Sequence, residues 1–286
     1  MSDKSAIEWT DATWNPTTGC DRVSPGCANC YALDLAARLK RMGQAGYQND
    51  GDPKTSGPGF ALTLQPHRLE VPFRWSQSRR VFVDSMSDLF HEKVPDEYLD
   101  RVFAVMALTP QHSFQVLTKR PKRLQEYVNS IAPHGGRRDA FQRELALRRL
   151  ANRIPNDVEV TWPIPNVWLG TSVENAHWKV RIDELRKAPA AVRFLSCEPL
   201  LGDLGEVNLA GIDWVIAGGE SGIKHRPVKA EWIRTLRDQS AVAGVAFLFK
   251  QWGGRTSKSG GRTLDGQTHD QYPRPLQEPE KVAIAS

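Results

Sequence analysis

Three of the four cysteines in this 286-residue chain lie within eleven residues of one another. Cys20, Cys27 and Cys30 have the spacing C-x6-C-x2-C inside the stretch TTGCDRVSPGCANCYA. Pro25 and Gly26 are typical of a turn, which would fold Cys20 back towards the other two cysteines. The last two cysteines stand at the start of a predicted helix, and a helix N-terminus lowers the pKa of a thiol. The residue types and their spacing therefore predict three thiolates that hold one metal centre.

The number of ligands separates two kinds of metal centre. A structural zinc ion normally has four protein ligands, whereas His67 and His91 are distant from the cysteines in sequence. Cys197 is either a fourth ligand or a small buried side chain, and we favour the second interpretation. Three cysteines without a fourth ligand predict a [4Fe–4S] cluster with one open iron. Such an iron can bind S-adenosylmethionine (SAM) and pass an electron to its sulfonium group.

Six apolar runs later in the chain each end in polar residues. They are short, continuous and rich in Val, Ile, Phe and Leu, which is typical of parallel strands buried on both faces. The carboxyl ends of such strands form one rim, where α/β barrels carry their chemistry. A helix cap or an ion pair explains any one of these polar residues, but not a whole rim of them. By position, the candidate catalytic residues are Lys119, Glu174, Glu198 and Glu220. The six runs are residues 80–85, 113–118, 166–172, 192–196, 213–219 and 245–250.

Amphipathic helical stretches alternate with these runs, and a first strand is expected within residues 5–14. The alternation predicts an α/β fold with right-handed crossovers, as a complete or partial (β/α) barrel rather than an open doubly wound sheet. We expect one barrel-like domain over residues 1–254, with insertions at about 43–70 and 129–165. Residues 255–286 are expected to form a polar hairpin, around Asp265-Gly266, and a tail.

Composition gives further expectations. The chain is 40% hydrophobic and 25% charged, as in ordinary globular proteins. Its net charge is +5, yet residues 119–153 alone carry ten Lys and Arg against three acids. This basic segment is either a nucleic-acid contact or the solvated face of a helix. The tryptophans that we consider for base stacking are Trp9, Trp14, Trp75 and Trp252.

The cellular compartment bears on the cysteines. No apolar run approaches the roughly 20 residues of a membrane helix, so no membrane partner is expected. The N-terminal stretch lacks the apolar core of a signal peptide, and the expected location is the cytoplasm. Thiols are kept reduced there, which favours metal ligands over disulfides.

Seven stretches, read in order, resemble a family. They resemble the uncharacterised three-Cys-motif proteins of phages and bacteria, which are described as related to radical SAM enzymes and spore photoproduct lyase. The resemblance implies a radical-SAM-like TIM barrel in which Cys20, Cys27 and Cys30 bind the cluster. It also implies a pocket for SAM lined by Tyr31, Asp84, Ser87, Asp88, Ser172, Gly218, Gly219, Ser221 and Lys250. The stretches are WNPTTGC…SPGCANCYA, VFVDSMSDLFH, SFQVLTKRP, VWLGTSVEN, FLSCEPLLG, WVIAGGESG and FKQWGG.

The functional expectation is a radical-SAM-like iron–sulfur enzyme that modifies or repairs a nucleic acid or a nucleotide. Its partners would be an electron donor and a nucleic acid bound by segment 119–153, with a companion protein as a further candidate. Two alternatives stay open at this stage. One is a nucleic-acid-binding protein with structural zinc, and the other is a [4Fe–4S] redox or partner protein without SAM turnover.

Overall fold

A computed structural model describes residues 5–155, 159–256 and 258–273. Seven parallel strands form a sheet that curls into a half-barrel, and each strand pairs with the next one along the sheet in chain order. Two further strands form a separate antiparallel pair. The nine strands are β1 (Ala12–Trp14), β2 (Thr17–Thr18), β3 (Thr63–Leu64), β4 (Arg80–Val83), β5 (Ser113–Thr118), β6 (Val167–Ser172), β7 (Val192–Cys197), β8 (Trp214–Gly218) and β9 (Ala246–Gln251).

Helices lie in most connections between the strands of the half-barrel, and residues 198–213, between β7 and β8, contain none. Proline residues open several short 3₁₀ turns, because a proline at the first helical position loses no backbone hydrogen bond. The α-helices are α1 (Tyr31–Arg41), α2 (Asp96–Ala107), α3 (Pro121–Ile131), α4 (Arg138–Asn152), α5 (Val180–Arg186) and α6 (Ala230–Val242).

The expected α/β class is confirmed, and the six predicted apolar runs are strands within about two residues of their expected ends. The first strand, β1, lies inside its expected range of residues 5–14. The barrel expectation is met only in its partial form. Among the described residues, β1 and β9 are the two ends of the sheet rather than neighbours. The fold is therefore a mixed α/β half-barrel.

The two faces of the sheet have different cores. The outer face packs against α2, α3, α5 and α6 in the main hydrophobic cluster, which includes Val83, Leu169 and Phe249. The inner face holds a smaller cluster rich in aromatic rings, among them Trp9, Phe194 and Trp214. Residues two positions apart on a strand lie on the same face of the sheet. Phe194 and Ser196 of β7 therefore share the inner face, with the polar residue nearer the carboxyl end of the strand.

Burial corrects two expectations about apolar residues. Trp9, Trp14 and Trp75 are at most 8% exposed, so base stacking on their rings is excluded in this structure. Leu35 of α1 is 37% exposed, although the apolar spacing of this helix predicts that it is buried. Helix α1 packs only on a small hydrophobic cluster around Tyr47 and Phe60, which we call the satellite cluster. Little apolar surface is therefore available to cover the rest of this helix.

The two expected insertions have structural roles. Residues 43–70 contribute β3 and fold under the cysteines, where Tyr47 and Phe60 are buried in the satellite cluster. The second insertion contains α4, which packs on α2 through Phe141 and Leu145. Arg137 pairs with Asp100, which is on α2. The basic helix is thus attached to the core rather than projecting from it.

The C-terminal segment closes one edge of the sheet. Leu264 and Gln267 form an antiparallel bridge around Asp265-Gly266, where both turn residues have positive φ. Asp270 then bridges to Leu248 of β9. The rest of the expected tail, residues 274–286, lies outside the described residues. No described helix is both long enough and apolar enough to cross a membrane.

Candidate functional site

The cysteine loop leaves the small antiparallel pair β2–β3 and ends at α1. Gly19, with φ of 86°, begins it at a place where a Cβ atom would lie 2.1 Å from the carbonyl oxygen of Ala61. Only glycine fits such a close approach with positive φ. Cys27 is the last residue of a 3₁₀ turn, and Cys30 occupies the N-cap position of α1. Both cysteines thus lie where the predicted turn and helix start place them.

One cavity of about 130 Å³ lies at the carboxyl ends of the strands and brings the three cysteines together. Cys20, Cys27 and Cys30 all line it, and all three are half-buried free thiols. Five of the other predicted site residues line the same cavity, namely Asp84, Ser87, Asp88, Lys119 and Ser172. Residues that are more than 150 positions apart in the chain therefore meet there, as the predicted rim requires.

Apolar side chains form the remaining walls of this cavity. Leu33 of α1, Phe82 of β4 and Leu117 of β5 all line it. Such walls lower the local dielectric constant and strengthen electrostatic interactions inside. The cavity is thus a part-apolar chamber whose polar groups come from the cysteine loop and the strand ends.

Two of the three thiols, those of Cys20 and Cys30, resist ionisation in the protein. Burial raises the pKa of the Cys20 thiol to about 12, and the carboxylate of Asp88 raises it further. The guanidinium of Arg120 opposes this shift from 3.6 Å away, between Nη1 and the sulfur. Burial also raises the pKa of Cys30. Binding a metal centre would therefore release protons from these groups.

Two aspartates line the cavity with different surroundings. Asp84 is buried, and its carboxylate accepts hydrogen bonds from the Thr17 backbone N–H at 3.1 Å and the Thr17 hydroxyl at 2.8 Å. Burial raises the pKa of Asp84 to about 8. Asp88 instead accepts from the Thr118 hydroxyl, the Lys119 backbone N–H and the Arg120 guanidinium, at 2.7, 3.0 and 2.9 Å. Asp84 thus keeps its proton to a higher pH than an ordinary aspartate, whereas Asp88 organises the start of α3.

Two of the predicted catalytic glutamates lie outside the cavity lining and hold the cysteine loop. Glu174 is 1% exposed, pairs with Arg181 at 2.8 Å and accepts from the backbone N–H of Gly26 at 3.3 Å. Burial alone would raise the pKa of Glu174, but the charges of Lys119 and Arg181 leave it below its ordinary value. This glutamate is charged and tied to the turn between Cys20 and Cys27.

A second glutamate also holds the cysteine loop. Glu220 accepts a hydrogen bond from the side-chain amide of Asn29 at 3.0 Å and forms a salt bridge with Arg226. Arg226 also donates to the carbonyl oxygen of Pro25 at 3.0 Å. Residues from two distant loops thus clamp the turn that carries Cys27.

The third predicted glutamate belongs to a separate polar cluster on the inner face. Glu198 accepts from Lys250 at 2.6 Å and from the amide of Gln251 at 3.2 Å, and Gln251 also donates to the Ser221 hydroxyl at 2.6 Å. Gly218 lies against Glu198, and a Cβ at Gly219 would lie 2.0 Å from the carbonyl oxygen of Trp252. These residues are near one another at the rim, but they do not line the cysteine cavity.

Tyr31 stands at the edge between the two regions. Its side chain is 55% exposed, and its hydroxyl donates to the carbonyl oxygen of Ser85 at 2.5 Å. Cys197, in contrast, is fully buried in the outer core and does not line the cavity. Its position agrees with the interpretation of a small core side chain.

The arrangement of the thiols limits what they can bind. Within the described ranges, no group of three or more His, Cys, Asp or Glu side chains could hold a metal ion. His91, a candidate fourth ligand by sequence, is buried with its ring nitrogen 2.9 Å from an oxygen of Asp21. The three cysteines thus line one chamber but form no single-ion site among the described residues.

Sequence reasoning missed the arginines that position the site. Arg120 contacts the sulfur of Cys20, and Arg181 and Arg226 pair with the two loop-holding glutamates. Arg120 had a signal, because it follows a strand end in the basic stretch TKRP. Arg181 and Arg226 had none, since their partners are set by packing between distant loops.

The fold and the site define an α/β protein whose parallel half-barrel carries a three-cysteine cavity at the carboxyl ends of its strands. The chain belongs to the family described as "Protein of unknown function (DUF5131)", whose family model matches residues 4–273. Membership of an uncharacterised family is thereby confirmed, while the relation to radical SAM enzymes stays a prediction. A comparison with curated proteins and with solved structures gave no match for this chain.

Proposed function

We propose that this protein is an iron–sulfur enzyme of the radical SAM type that acts on a nucleic acid or a nucleotide. One observation carries the proposal: Cys20, Cys27 and Cys30 line a single cavity at the carboxyl ends of a parallel half-barrel. No fourth Cys and no His is among the described residues that line this cavity. Three thiolates and an open iron are the ligand set that SAM chemistry requires.

The number of thiols in the cavity favours a cluster over a single zinc ion. A zinc ion needs four ligands that converge within about 2.3 Å of one point, and the described residues include no group of three or more that could hold one ion. In a [4Fe–4S] cluster each cysteine binds a different iron, so the sulfur atoms need not converge. The zinc alternative therefore has less support than the cluster.

The residues that line the cavity include the groups that SAM binding beside such a cluster would use. When bound, such a cluster would supply the electron for reductive cleavage of SAM, with methionine and 5′-deoxyadenosine as products once the substrate has given up a hydrogen atom. Lys119 offers a cation for the methionine carboxylate, and Asp84 and Ser172 offer acceptors for its amine. Phe82 and Leu117 exclude water from the reacting groups.

The finer interpretation of the fold belongs to the same proposal. A radical-SAM-like TIM barrel would be present here in partial form, with β1 and β9 as its two end strands. The electron donor would be a reduced partner protein or a chemical reductant in vitro.

Anaerobic purification tests the proposal. We expect a brown protein with about four iron and four sulfide per chain, an EPR signal after reduction, and 5′-deoxyadenosine when SAM and dithionite are added. A colourless protein that contains zinc would overturn the proposal. A brown protein that releases no 5′-deoxyadenosine would leave the redox-protein alternative in its place.

A further inference from the structure

A second cavity adjoins the cysteine chamber. It is a groove of about 480 Å³ between the start of α3 and the start of α5, which is within the size range of small-ligand sites. Lys119 lines both the groove and the cysteine cavity. We refer to this space, lined by Lys119, Lys122, Trp178 and Arg181 among others, as the α3–α5 groove. A ligand seated in it would reach the chamber past Lys119.

Positive groups converge on this groove. Lys119, Arg120, Lys122, Arg123 and Arg181 all line it. Arg120 and Arg123 have carboxylate partners, whereas the side chains of Lys119 and Lys122 have no ion-pair partner within the part of the chain that the structure describes. The groove is also lined by Glu92, Glu126 and Glu184, of which the first two are exposed.

The start of α3 adds backbone donors. Arg120 precedes the helix and gives it no side-chain cap, and Pro121 occupies its first position. The backbone N–H groups of Lys122 and Arg123 belong to the first turn, where a helix offers them no internal partner. Uncapped N–H groups and the helix dipole together favour an anion at this end.

A buried side chain gives independent support. Arg181 is only 4% exposed and lines the groove, and its Nη2 atom is buried without a hydrogen-bond partner in the structure. Its Nη1 atom is engaged by Glu174 and by the carbonyl oxygen of Ser172, at 2.8 and 2.9 Å. Leaving a buried charged donor unsatisfied is costly, and an anion in the groove would lie next to this guanidinium and stabilise its charge.

An aromatic ring completes the groove. Trp178 lines it and lies against the Arg181 guanidinium, whose central carbon is 3.9 Å from the ring centroid. Cationic donors beside an aromatic ring are the combination with which proteins bind nucleotides, because the cations contact phosphate and the ring contacts the base.

We propose that the α3–α5 groove binds the phosphate of a nucleotide, either free or at the end of a nucleic-acid strand. The phosphate would accept from Lys119, Lys122 and the first-turn N–H groups of α3. The nucleoside attached to it would then lie beside the cysteine chamber. This inference rests on the proposed function only in calling the nucleotide the substrate.

Binding measurements on the anaerobically purified full chain test the inference. The probes are a nucleoside 5′-monophosphate, a 5′-phosphorylated single-stranded 10-mer and their dephosphorylated forms, each at low and high salt. We expect the phosphorylated probes to bind more tightly than the dephosphorylated ones, and the affinity to fall with salt. Equal affinity for monophosphate and 10-mer would identify a free nucleotide, whereas preference for the 10-mer would identify a strand end.

Exposed lysines allow a matched comparison. Lys122→Glu should weaken phosphate binding at least about tenfold, equivalent to about 1.4 kcal/mol. Lys229→Glu should leave it unchanged, because this exposed lysine at the N-cap position of α6 lines neither cavity. Lys119→Gln should weaken binding and reduce its salt dependence by about one ion. Equal affinities in wild type and Lys122→Glu, or no preference for phosphorylated probes, would overturn the inference. Visible absorbance and iron content, recorded on the same samples, report on the proposed function separately.

Discussion

The side-chain amide of Asn29 donates a 3.0 Å hydrogen bond to the carboxylate of Glu220, a residue 191 positions later in the chain. This contact joins the cysteine loop to the loop that follows β8. Together with the Arg226 bond to Pro25, it holds the turn between two of the predicted cluster ligands. The position of the thiols therefore depends on residues that bind no metal themselves.

Removing Glu220 should loosen the cysteine loop without unfolding the sheet. In Glu220→Ala, Arg226 and Asn29 lose their shared acceptor, which should cost about 1–3 kcal/mol. We expect the iron content per chain to fall by at least half, while the far-UV circular dichroism stays unchanged. Asp265→Ala is the matched control, because Asp265 pairs with two arginines at an exposed site away from the cysteines. Full iron loading in the Glu220 variant would contradict the positioning role.

The four cysteines should divide into two groups. Cys20→Ala, Cys27→Ala and Cys30→Ala should each remove the brown chromophore, because each thiol lines the cavity. Cys197→Ala should keep it and lose about 1 kcal/mol of stability, since it leaves a small void in the core. Visible spectra and iron analysis of the four variants make the comparison. Chromophore loss in Cys197→Ala would mean that Cys197 is a ligand of the cluster.

Loss of the ion pair between Glu174 and Arg181 should lower the free energy of unfolding more than loss of an exposed ion pair. Both side chains are at most 5% exposed, so Glu174→Gln would leave a buried guanidinium without its countercharge. Breaking such a pair costs about 3–5 kcal/mol, and the midpoint of urea unfolding should fall accordingly. Glu184→Gln, which breaks a more exposed pair with Lys187, should change the stability by less than about 1 kcal/mol. Equal effects of the two variants would count against the buried pair.

Asp84 should make the metal-free protein less stable as the pH rises. Burial raises its pKa to about 8 in the folded state, against an ordinary value of 3.8 in the unfolded chain. Between these values the folded state binds more protons, so the free energy of unfolding falls with increasing pH, by up to about 1.4 kcal/mol per pH unit. Denaturant unfolding from pH 4 to pH 8 measures this slope.

In Asp84→Asn this contribution should vanish, because the amide has no proton to lose. Asparagine also tolerates the positive φ of 59° at this position. The surface variant Asp203→Asn should keep the wild-type slope. If Asp84→Asn retained that slope as well, another buried group would be responsible for it.

Much of the architecture follows from short-range pattern. Continuous apolar runs such as VWLGTS fit only strands that are buried on both sides, and helical stripes between them impose parallel pairing. The carboxyl ends of those strands then have to meet, which is why Asp84, Lys119 and Ser172 lie in one cavity with the cysteines. Chain order and periodicity were sufficient for this part.

The roles of individual charged residues did not follow from pattern. Glu174 and Glu220 end strands in the same way as Asp84, yet they pair with Arg181 and Arg226 and hold the loop instead of lining the cavity. An ion pair forms where packing brings two oppositely charged side chains within about 4 Å of each other. The positions of the two residues along the chain do not determine that distance.

The sequence by itself determined the strands, their parallel order and the grouping of three thiols, because these depend on local periodicity and on close spacing along the chain. Only the tertiary structure decided that the sheet is a half-barrel, that residues 43–70 support the cysteine loop, and that the α3–α5 groove opens beside the chamber. Those features arise from contacts between segments far apart in sequence, whose geometry is fixed by the packing of the whole domain.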